Sequence, residues 1–236
     1  MGSDKNILLV YPSRGRPRRL LAALNDFVVN WSQTTKLSII VSLDTDDPML
    51  SEYIGIIDAY VKAITSPNFH LEAIINSNKT VVVAINRAYT EDVLSHYNII
   101  SLISDDFRMP ENWDRLFIEE FEKYGYNKIV KSFQPGAPNP KLITIQMAGT
   151  QFWKDYGTFV WPEYMSVYGD TDITGWAQVN ERIVEAPHII CRHLNPGCGQ
   201  PDGFPMDDIY QRENSPLAYS IGEQVYNRRM ANGFRS

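Results

Sequence analysis

The chain has 236 residues, of which 44% are hydrophobic and 21% are charged, and this composition excludes a wholly disordered protein. Its 28 acidic side chains outnumber its 22 basic ones and give a formal net charge of -6, so the protein as a whole does not attract polyanions. Only two cysteines, Cys191 and Cys198, are present and no apolar run approaches the roughly 20 residues of a membrane span, so we expect a cytoplasmic protein with no stable membrane insertion.

The N-terminal half alternates predicted strands with predicted helices. Apolar runs rich in β-formers predict four strands, at residues 6–11, 36–43, 70–75 and 99–103. The helical spacing of apolar side chains predicts helices between them, at residues 17–28, 49–63 and 82–94. This alternation indicates an α/β fold with a mainly parallel central sheet flanked by helices, whose ligands bind at the carboxyl ends of the strands.

The C-terminal half is predicted to be less regular. A helix at 113–124, strands at 129–133 and 142–147 and a helix ending at Val179 are separated by an aromatic-rich segment, and a Gly/Pro-rich segment follows them. Most of the aromatic side chains suit a core, although Trp153, Trp161 and Trp176 would also suit stacking on a sugar or base. We expect one domain of residues 1–236, with a nucleotide-binding half at about 1–110 and an irregular, acceptor-binding and catalytic half at about 111–236.

Four loops that follow predicted strands carry polar side chains suited to a nucleotide. Because the carboxyl ends of parallel strands meet at one edge of a sheet, we expect these loops to border one crevice. The candidates for binding a nucleotide donor in these loops are Pro12, Ser13, Arg14, Arg16, Asp44, Asp46, Asn78, Lys79, Ser104 and Asp105.

A basic cluster at the first of these loops has more than one interpretation. Arg14, Arg16, Arg18 and Arg19 lie close together in the sequence and suit either a diphosphate or a nucleic-acid backbone. The alternative is solvated charge at the start of a helix.

Two carboxylates follow the most apolar predicted strand, in the segment Ser104-Asp105-Asp106. At this place they suit a hard cation shared with a diphosphate, and oxygen ligands favour Mg2+ or Mn2+ over zinc. The same residues would also suit a turn or the cap of the next helix. The segment alone therefore predicts a metal site only weakly.

The order of these segments resembles that of the GT-A, family-2-like glycosyltransferases. Residues 12–16 are similar to the family's Pro-Ser/Thr-x-x-Arg loop, and Asp44 holds the place of the acid that contacts the nucleoside base. Asn78 and the helix that contains Asn86 are similar to the third segment of the family, and this resemblance adds Asn86 to the candidates for binding a nucleotide donor. Residues 103–106 hold the place of the metal-binding DxD segment, with Ser104 instead of its first acid.

The resemblance implies roles for four further side chains. Asp106 would bind the metal, with Asp105 nearer the sugar or ribose. His193 lies where many members place a histidine that ligates metal or contacts phosphate, although a loop histidine bonded to backbone is an equal alternative. Asp170 and Asp172 lie in a segment similar to the family's Glu-Asp-x-Asp acceptor segment, so Asp170 is the first candidate for the base and Asp172 the second, unless they cap the helix.

The resemblance therefore implies a metal-dependent, inverting glycosyltransferase that uses Mn2+ or Mg2+ and a nucleotide-diphosphate sugar, with a UDP-linked donor expected. The acceptor stays open among a glycan, a small molecule and a hydroxylated base in DNA. The alternatives are a nucleotidyltransferase that uses a nucleoside triphosphate, although its Gly-rich loop is missing, and a non-catalytic module that binds carbohydrate or nucleic acid. The lack of GxGxxG after the first strand argues against an oxidoreductase.

Overall fold

A computed structural model describes residues 5–235 of the protein. Its strands are β1 (Asn6–Pro12), β2 (Lys36–Asp44), β3 (Phe69–Asn76), β4 (Ile99–Leu102), β5 (Phe107–Arg108), β6 (Ile129–Phe133), β7 (Gln146–Gly149), β8 (Ile183–Ile190) and β9 (Arg192–His193). Its helices are α1 (Pro17–Val29), α2 (Leu50–Ala63), α3 (Val81–Asn86), α4 (Glu91–His96), α5 (Trp113–Tyr124), α6 (Thr150–Tyr156), α7 (Gly169–Val179), α8 (Asp208–Glu213) and α9 (Pro216–Ala231), with a short 3-10 helix at Pro196–Cys198.

The central sheet has seven strands in the order β3-β2-β1-β4-β7-β6-β8. Strands β1 to β4 are parallel, β7 is antiparallel to both of its neighbours, and β6 and β8 are parallel. A second, two-stranded sheet pairs β5 with β9. The predicted α/β class with a mainly parallel sheet is confirmed.

The sheet is buried on both faces, as its mainly parallel strands require. Because side chains alternate along a strand, Ile7 and Leu9 belong to one core, which also contains Phe27 of α1. Leu8 belongs to a second core, which contains Trp153 of α6. Strand β1 therefore joins the two cores at the centre of the molecule.

Two predicted elements differ from the observed ones. The predicted helix at 82–94 is two helices, because the Thr90 side chain accepts a hydrogen bond from the Val93 amide and starts α4 anew. The strand predicted at 142–147 begins only at Gln146, because the Ile143 amide donates to the Thr174 side chain instead of to a neighbouring strand.

The C-terminal helix α9 packs back on α7 through a buried ion pair. Asp172 of α7 is fully buried and accepts a hydrogen bond of 2.6 Å from Nε of Arg229. The hydroxyls of Tyr156 and Tyr164 donate to the same carboxylate at 2.5 and 2.7 Å. These contacts satisfy the buried carboxylate and hold α9 against α7.

The state of the cysteines and the length of the helices relate to the cytoplasmic location expected from the sequence. Cys191 and Cys198 are both buried, and neither forms a disulfide. Within residues 5–235, the longest and most apolar helices still fall short of what a membrane span requires.

Candidate functional site

A chain of hydrogen bonds links the carboxyl ends of β1, β2 and β3. Arg14 donates to Asp44 Oδ2 at 2.7 Å and to Asp46 Oδ1 at 2.6 Å. The Asn78 amide donates to Asp44 Oδ1 at 2.6 Å, and Arg87 Nε donates to the Asn78 oxygen at 2.6 Å. Asp44 is thereby held from both sides, and its orientation is fixed before any ligand binds.

These loops border a cavity of about 410 Å3, which we call the first cavity. Of the residues predicted to bind a nucleotide donor, all except Asn86 and Ser104 line it. Its lining also includes residues of α8, Ser215 and the start of α9 that the sequence did not indicate. They are Ile209, Arg212, Glu213, Ser215 and Ala218.

The two exceptions have other contacts. The Asn86 side chain bonds to both the amide and the carbonyl of Val160, at 2.9 and 2.7 Å, and so fastens the segment before α7 to α3. The Ser104 hydroxyl donates to Asp106 Oδ1. Asn86 lines neither the first cavity nor its neighbour, whereas Ser104 lines the neighbour.

That neighbour, the second cavity, has a volume of about 830 Å3. Pro12, Val81 and Ser166 line both cavities, so the two spaces adjoin. Asp105 lines the first cavity and Asp106 lines the second. The two consecutive carboxylates that follow β4 therefore lie at the boundary between the cavities.

Asp106 forms an ion pair with His193 across the small β5–β9 sheet. His193 Nε2 lies 3.2 Å from Asp106 Oδ2, and Phe107 pairs with His193 in the sheet register. Burial opposes a charge on His193, but the hydrogen bonds of Asp106 and Cys198 outweigh it and raise the histidine pKa to about 9. Likewise burial opposes the charge on Asp106, while His193 and Ser104 hold its pKa below the usual value.

Asp106 and His193 would supply two ligands of a divalent cation, but not its complete set of ligands. Two adjacent ligands with bonds of ~2.1 Å at right angles lie ~3 Å apart, close to the 3.2 Å between the Asp106 and His193 atoms. Within residues 5–235, no group of three or more His, Cys, Asp or Glu side chains is placed to hold a metal. The remaining ligands would therefore come from a diphosphate and water, as is common for Mg2+.

The predicted basic cluster is largely paired with carboxylates of the protein itself. Arg16 NH1 lies 3.6 Å from Asp105 Oδ2, and the same guanidinium also pairs with Asp207. Arg19 lies 3.1 Å from Asp207, which accepts the amide hydrogen bond that starts α8. Burial, with help from Asp106, raises the pKa of Asp105 to about 6.

The Gly/Pro-rich segment after β9 packs against this cluster. The Phe204 amide donates to the Leu194 carbonyl at 2.8 Å, and its ring lies 4.2 Å from the Arg19 guanidinium. The segment leads directly into α8, and Ile209 of α8 approaches Gly15 so closely that a Cβ there would lie 2.9 Å from it. The C-terminal region thus forms a wall of the first cavity.

Asp170 and Asp172 lie in different environments, because Asp170 borders the second cavity and Asp172 does not. Asp170 is in the first turn of α7, lines the second cavity and accepts a hydrogen bond of 2.7 Å from the Thr171 amide. Burial raises its pKa despite the Thr171 bonds. Asp172 does not line either cavity, and its buried ion pair with Arg229 gives it a structural environment.

The three tryptophans that would suit a sugar also have core contacts. Trp153 is fully buried and donates to the Ile100 carbonyl at 3.0 Å. Trp176 packs edge-on against Phe152, with ring centroids 5.1 Å apart. Trp161 lies 3.6 Å from the Arg229 guanidinium. The described residues that line the two cavities include none of these three tryptophans.

Several side chains of the second cavity were not predicted from the sequence. They carry amides or phenol groups and include Gln146, Tyr168, Asn195, Tyr210 and Tyr219. Of these residues, only Gln146 gave a signal in the sequence. It is a polar residue inside an apolar run, and such a residue is seldom buried without a hydrogen-bond partner.

No family model and no curated protein matches the sequence, but the fold matches solved structures. TarS of S. aureus has a TM-score of 0.63 at 11% identity, covering 98% of this chain and 40% of TarS. The mannosyltransferase PcManGT from Pyrobaculum calidifontis, solved in complex with GDP-Man and Mn2+, has a TM-score of 0.61 at 10% identity, covering 97% of this chain and 76% of PcManGT. The 4-diphosphocytidyl-2C-methyl-D-erythritol synthase from Anaerococcus prevotii has a TM-score of 0.51 at 10% identity, covering 94% and 96%.

The chain spans less than half the length of TarS, and identities this low establish the fold and not the activity. The similarity of fold to TarS and PcManGT extends over nearly the whole chain. The chain therefore has the GT-A fold of nucleotide-sugar glycosyltransferases.

Proposed function

We propose that the protein transfers a sugar from a nucleotide-diphosphate donor, expected to be UDP-linked, to an acceptor hydroxyl with inversion. One observation carries the proposal: two adjoining cavities meet at Asp105 and Asp106, and Asp170 lines the second of them. A donor in the first cavity would present its sugar at this boundary. An acceptor in the second would then approach it from the side of Asp170.

The first cavity has groups for each part of such a donor. Asp44, which Arg14 and Asn78 hold in place, would accept a hydrogen bond from the nucleobase. Lys79 supplies positive charge for the diphosphate, and Arg16, which pairs with Asp105 and Asp207, would bind the diphosphate by exchanging one of these carboxylates for it. Asp105 would contact the ribose or the sugar.

Asp106 and His193 would hold Mn2+ or Mg2+ together with the diphosphate, and the mixed carboxylate and imidazole pair favours Mn2+. When bound, the cation takes up negative charge that develops on the leaving diphosphate. A cation would also compete with the proton on His193, because only the neutral imidazole ligates metal.

Asp170 is the proposed base. Its carboxylate accepts the proton of the acceptor hydroxyl while the hydroxyl oxygen bonds to the anomeric carbon of the sugar. The bond between that carbon and the diphosphate oxygen breaks, and its electron pair leaves with the diphosphate. One base without a protein nucleophile corresponds to a single displacement, hence inversion, and the raised pKa of Asp170 suits proton acceptance.

The first test is donor turnover. Purified protein with Mn2+ or Mg2+ is incubated with UDP-, GDP- and dTDP-sugars, and release of the nucleoside diphosphate is measured. We expect slow, metal-dependent hydrolysis of at least one donor. If none of the donors is hydrolysed under any of these conditions, the proposal fails.

A nucleotidyltransferase is the second candidate, because the structural similarity to the A. prevotii synthase covers 94% of this chain. The loop after β1 contains a single glycine, Gly15, whereas a phosphate-cradling loop is Gly-rich. Incubation with nucleoside triphosphates separates the two functions, since this candidate requires release of pyrophosphate. A binding module without catalysis would give neither product.

A further inference from the structure

The two cavities differ in the charge of their walls. The first cavity is lined by four cationic side chains, Arg14, Arg16, Lys79 and Arg212, and by four carboxylates, Asp44, Asp46, Asp105 and Glu213, which pair with the three arginines. Its cations suit a diphosphate. Among the described residues that line the second cavity, there is neither Lys nor Arg. Of the residues 5–235 that line it, Asp106, Asp170 and His193 are the only ones with charged side chains, and His193 is paired with Asp106.

Most of the polar side chains that line the second cavity are neutral. Its wall carries side-chain amides and hydroxyls at Gln134, Asn139, Thr144, Gln146, Asn195 and Asn214. Groups of this kind both donate and accept hydrogen bonds without a net charge, which matches the pattern of a sugar hydroxyl. A phosphodiester would find no partner for its charge here and would lie close to carboxylates.

Gln146 is the most specific of these groups. It lies at the start of β7, opposite Leu102 of β4, and its residue is only 7% exposed. No atom in the described part of the chain hydrogen bonds to its Oε1. This oxygen has almost no accessible surface, so a ligand hydroxyl would pair with the amide only after the amide rotates toward the second cavity. A buried amide oxygen without a partner costs free energy, and the cost favours that rotation when a ligand is bound.

One wall of the second cavity is aromatic. The rings of Tyr168 and Tyr219 lie 6.2 Å apart at 76°, and both residues line the cavity. Tyr219 is 48% exposed, so an apolar face is available to a ligand. A phenol ring with one apolar face and one polar tip suits the mixed surface of a sugar.

Building on the proposed function, we infer that the acceptor is a neutral, polyhydroxylated compound, a saccharide or glycoside, and that Gln146 is one of the residues that recognise it. In the transfer step, one acceptor hydroxyl gives its proton to Asp170 and bonds to the donor sugar. Gln146 hydrogen bonds to a second hydroxyl of the acceptor. A phosphate inside the second cavity does not fit this assignment, because no described Lys or Arg lines that cavity to pair with it.

The acceptor class is tested with the donor that the hydrolysis assay selects. The panel contains neutral mono- and oligosaccharides and methyl glycosides, and, in parallel, sugar phosphates and oligodeoxynucleotides with hydroxymethylated bases. Products are detected by mass spectrometry. We expect transfer to neutral saccharides, with an acceptor KM that changes less than about twofold between 50 and 200 mM salt, whereas phosphate-dependent binding would weaken by orders of magnitude.

Substitutions test the recognition residue. Gln146→Leu keeps the volume of the side chain, and we expect it to raise the acceptor KM about tenfold, as for the loss of one buried hydrogen bond, while the donor KM changes less than twofold. Tyr219→Ala alters an exposed position, so folding is not at risk, and should also raise the acceptor KM. Gln178→Leu, at an exposed position of α7 that lines neither cavity, is the matched control.

The outcomes are distinguishable. Absence of donor hydrolysis contradicts the proposed function itself, and the inference falls with it. Donor hydrolysis with transfer only to phosphorylated or DNA acceptors, or with none of the neutral saccharides accepted, overturns the inference alone. An unchanged acceptor KM in both Gln146→Leu and Tyr219→Ala removes Gln146 and the aromatic wall as recognition elements.

Discussion

At the scale of single residues, Asp170 and Asp172 show how two carboxylates in one helix receive different environments. They lie two residues apart, which is ~200° around an α-helix, so only one of them can face the second cavity. Asp170 faces it, whereas Asp172 is enclosed by Tyr156, Tyr164 and Arg229. We therefore propose Asp170 as the base and a structural role for Asp172.

Substitution of the base should separate binding from chemistry. We expect Asp170→Asn to lower kcat by about 10^2–10^4-fold, because general base catalysis is lost, while calorimetry still detects binding of UDP with Mn2+. Asp58→Asn, at an exposed position of α2, is the control and should keep full activity. A fully active Asp170→Asn enzyme would remove Asp170 as the base.

The pH dependence of transfer follows from the environment of the base. Burial raises the pKa of Asp170, and a base acts only when deprotonated, so kcat should fall as the pH drops through that pKa, at a higher pH than for an ordinary aspartate. Asp105, whose pKa burial and Asp106 raise to about 6, could give the same limb. The pH profile of Asp105→Asn decides between them, since we expect its acidic limb to persist.

At the scale of secondary structure, the docking of α9 shapes both cavities. Helix α9 and the turn before it contribute Ser215 and Ala218 to the first cavity and Tyr219 to the second. The contact that fastens α9 joins Arg229 to Asp172, 57 residues earlier in the chain. Loss of the contact between Arg229 and Asp172 would therefore displace residues of both cavities.

Two adjacent arginines of α9 provide a matched test of that contact. Arg229→Met leaves the buried Asp172 without its counter-charge, and we expect it to lower the free energy of unfolding by about 3–5 kcal/mol. Arg228→Met breaks the pair with Glu163, whose side chain and that of Arg228 are both more than half exposed, and should change stability by less than about 1 kcal/mol. Urea unfolding measures both, and equal effects would contradict the structural role of the buried pair.

Two glycines provide a second test at this scale. A Cβ on Gly222 of α9 would lie 2.5 Å from the Tyr168 ring, so we expect Gly222→Ala to displace that ring and raise the acceptor KM. A Cβ on Gly55 of α2 would meet no atom within 4 Å, so Gly55→Ala should stabilise the protein by about 0.5–1 kcal/mol through helix propensity. Gly55→Ala should therefore raise the Tm and leave the acceptor KM unchanged, whereas Gly222→Ala should raise the acceptor KM. A Gly222→Ala enzyme with unaltered kinetics would show that Tyr168 tolerates the shift.

At the scale of the whole molecule, the parallel order of β3, β2, β1 and β4 brings their following loops to one edge of the sheet. The antiparallel strand β7 then places Gln146 beside the end of β4, where the second cavity begins. Donor and acceptor groups thus come from distant parts of the sequence and meet where the sheet changes from parallel to antiparallel.

Ligand binding at this edge should stabilise the molecule as a unit. At about 100 times its Kd, UDP with Mn2+ adds about 2.7 kcal/mol, which corresponds to an increase in Tm of roughly 5–11 °C for a domain of this size. We expect one unfolding transition, because all the strands of β1 to β4 and β6 to β8 share one sheet. Asp106→Ala should abolish the contribution of Mn2+ to the shift, and two separate transitions would contradict the predicted single domain.

The sequence by itself determined the α/β class, most element positions in the N-terminal half and the polar loops at the strand ends. Local physical chemistry suffices there, because apolar periodicity and strand-end polarity are encoded in neighbouring residues. For the same reason, the sequence predicted that Asp105 and Asp106 lie at the end of a strand, which is β4. The resemblance in segment order then pointed to the GT-A fold, which the structural similarities confirm.

Only the tertiary structure decided the contacts between residues far apart in the chain. Arg16 meets Asp207 across 191 residues, and His193 meets Asp106 across 87. No local pattern encodes such pairs, so the sequence could not tell that the arginine cluster is balanced internally or that α8 borders the first cavity. The sequence also could not show to which face of the sheet the Gln146 side chain points. That face depends on the partner strand and on what packs over it.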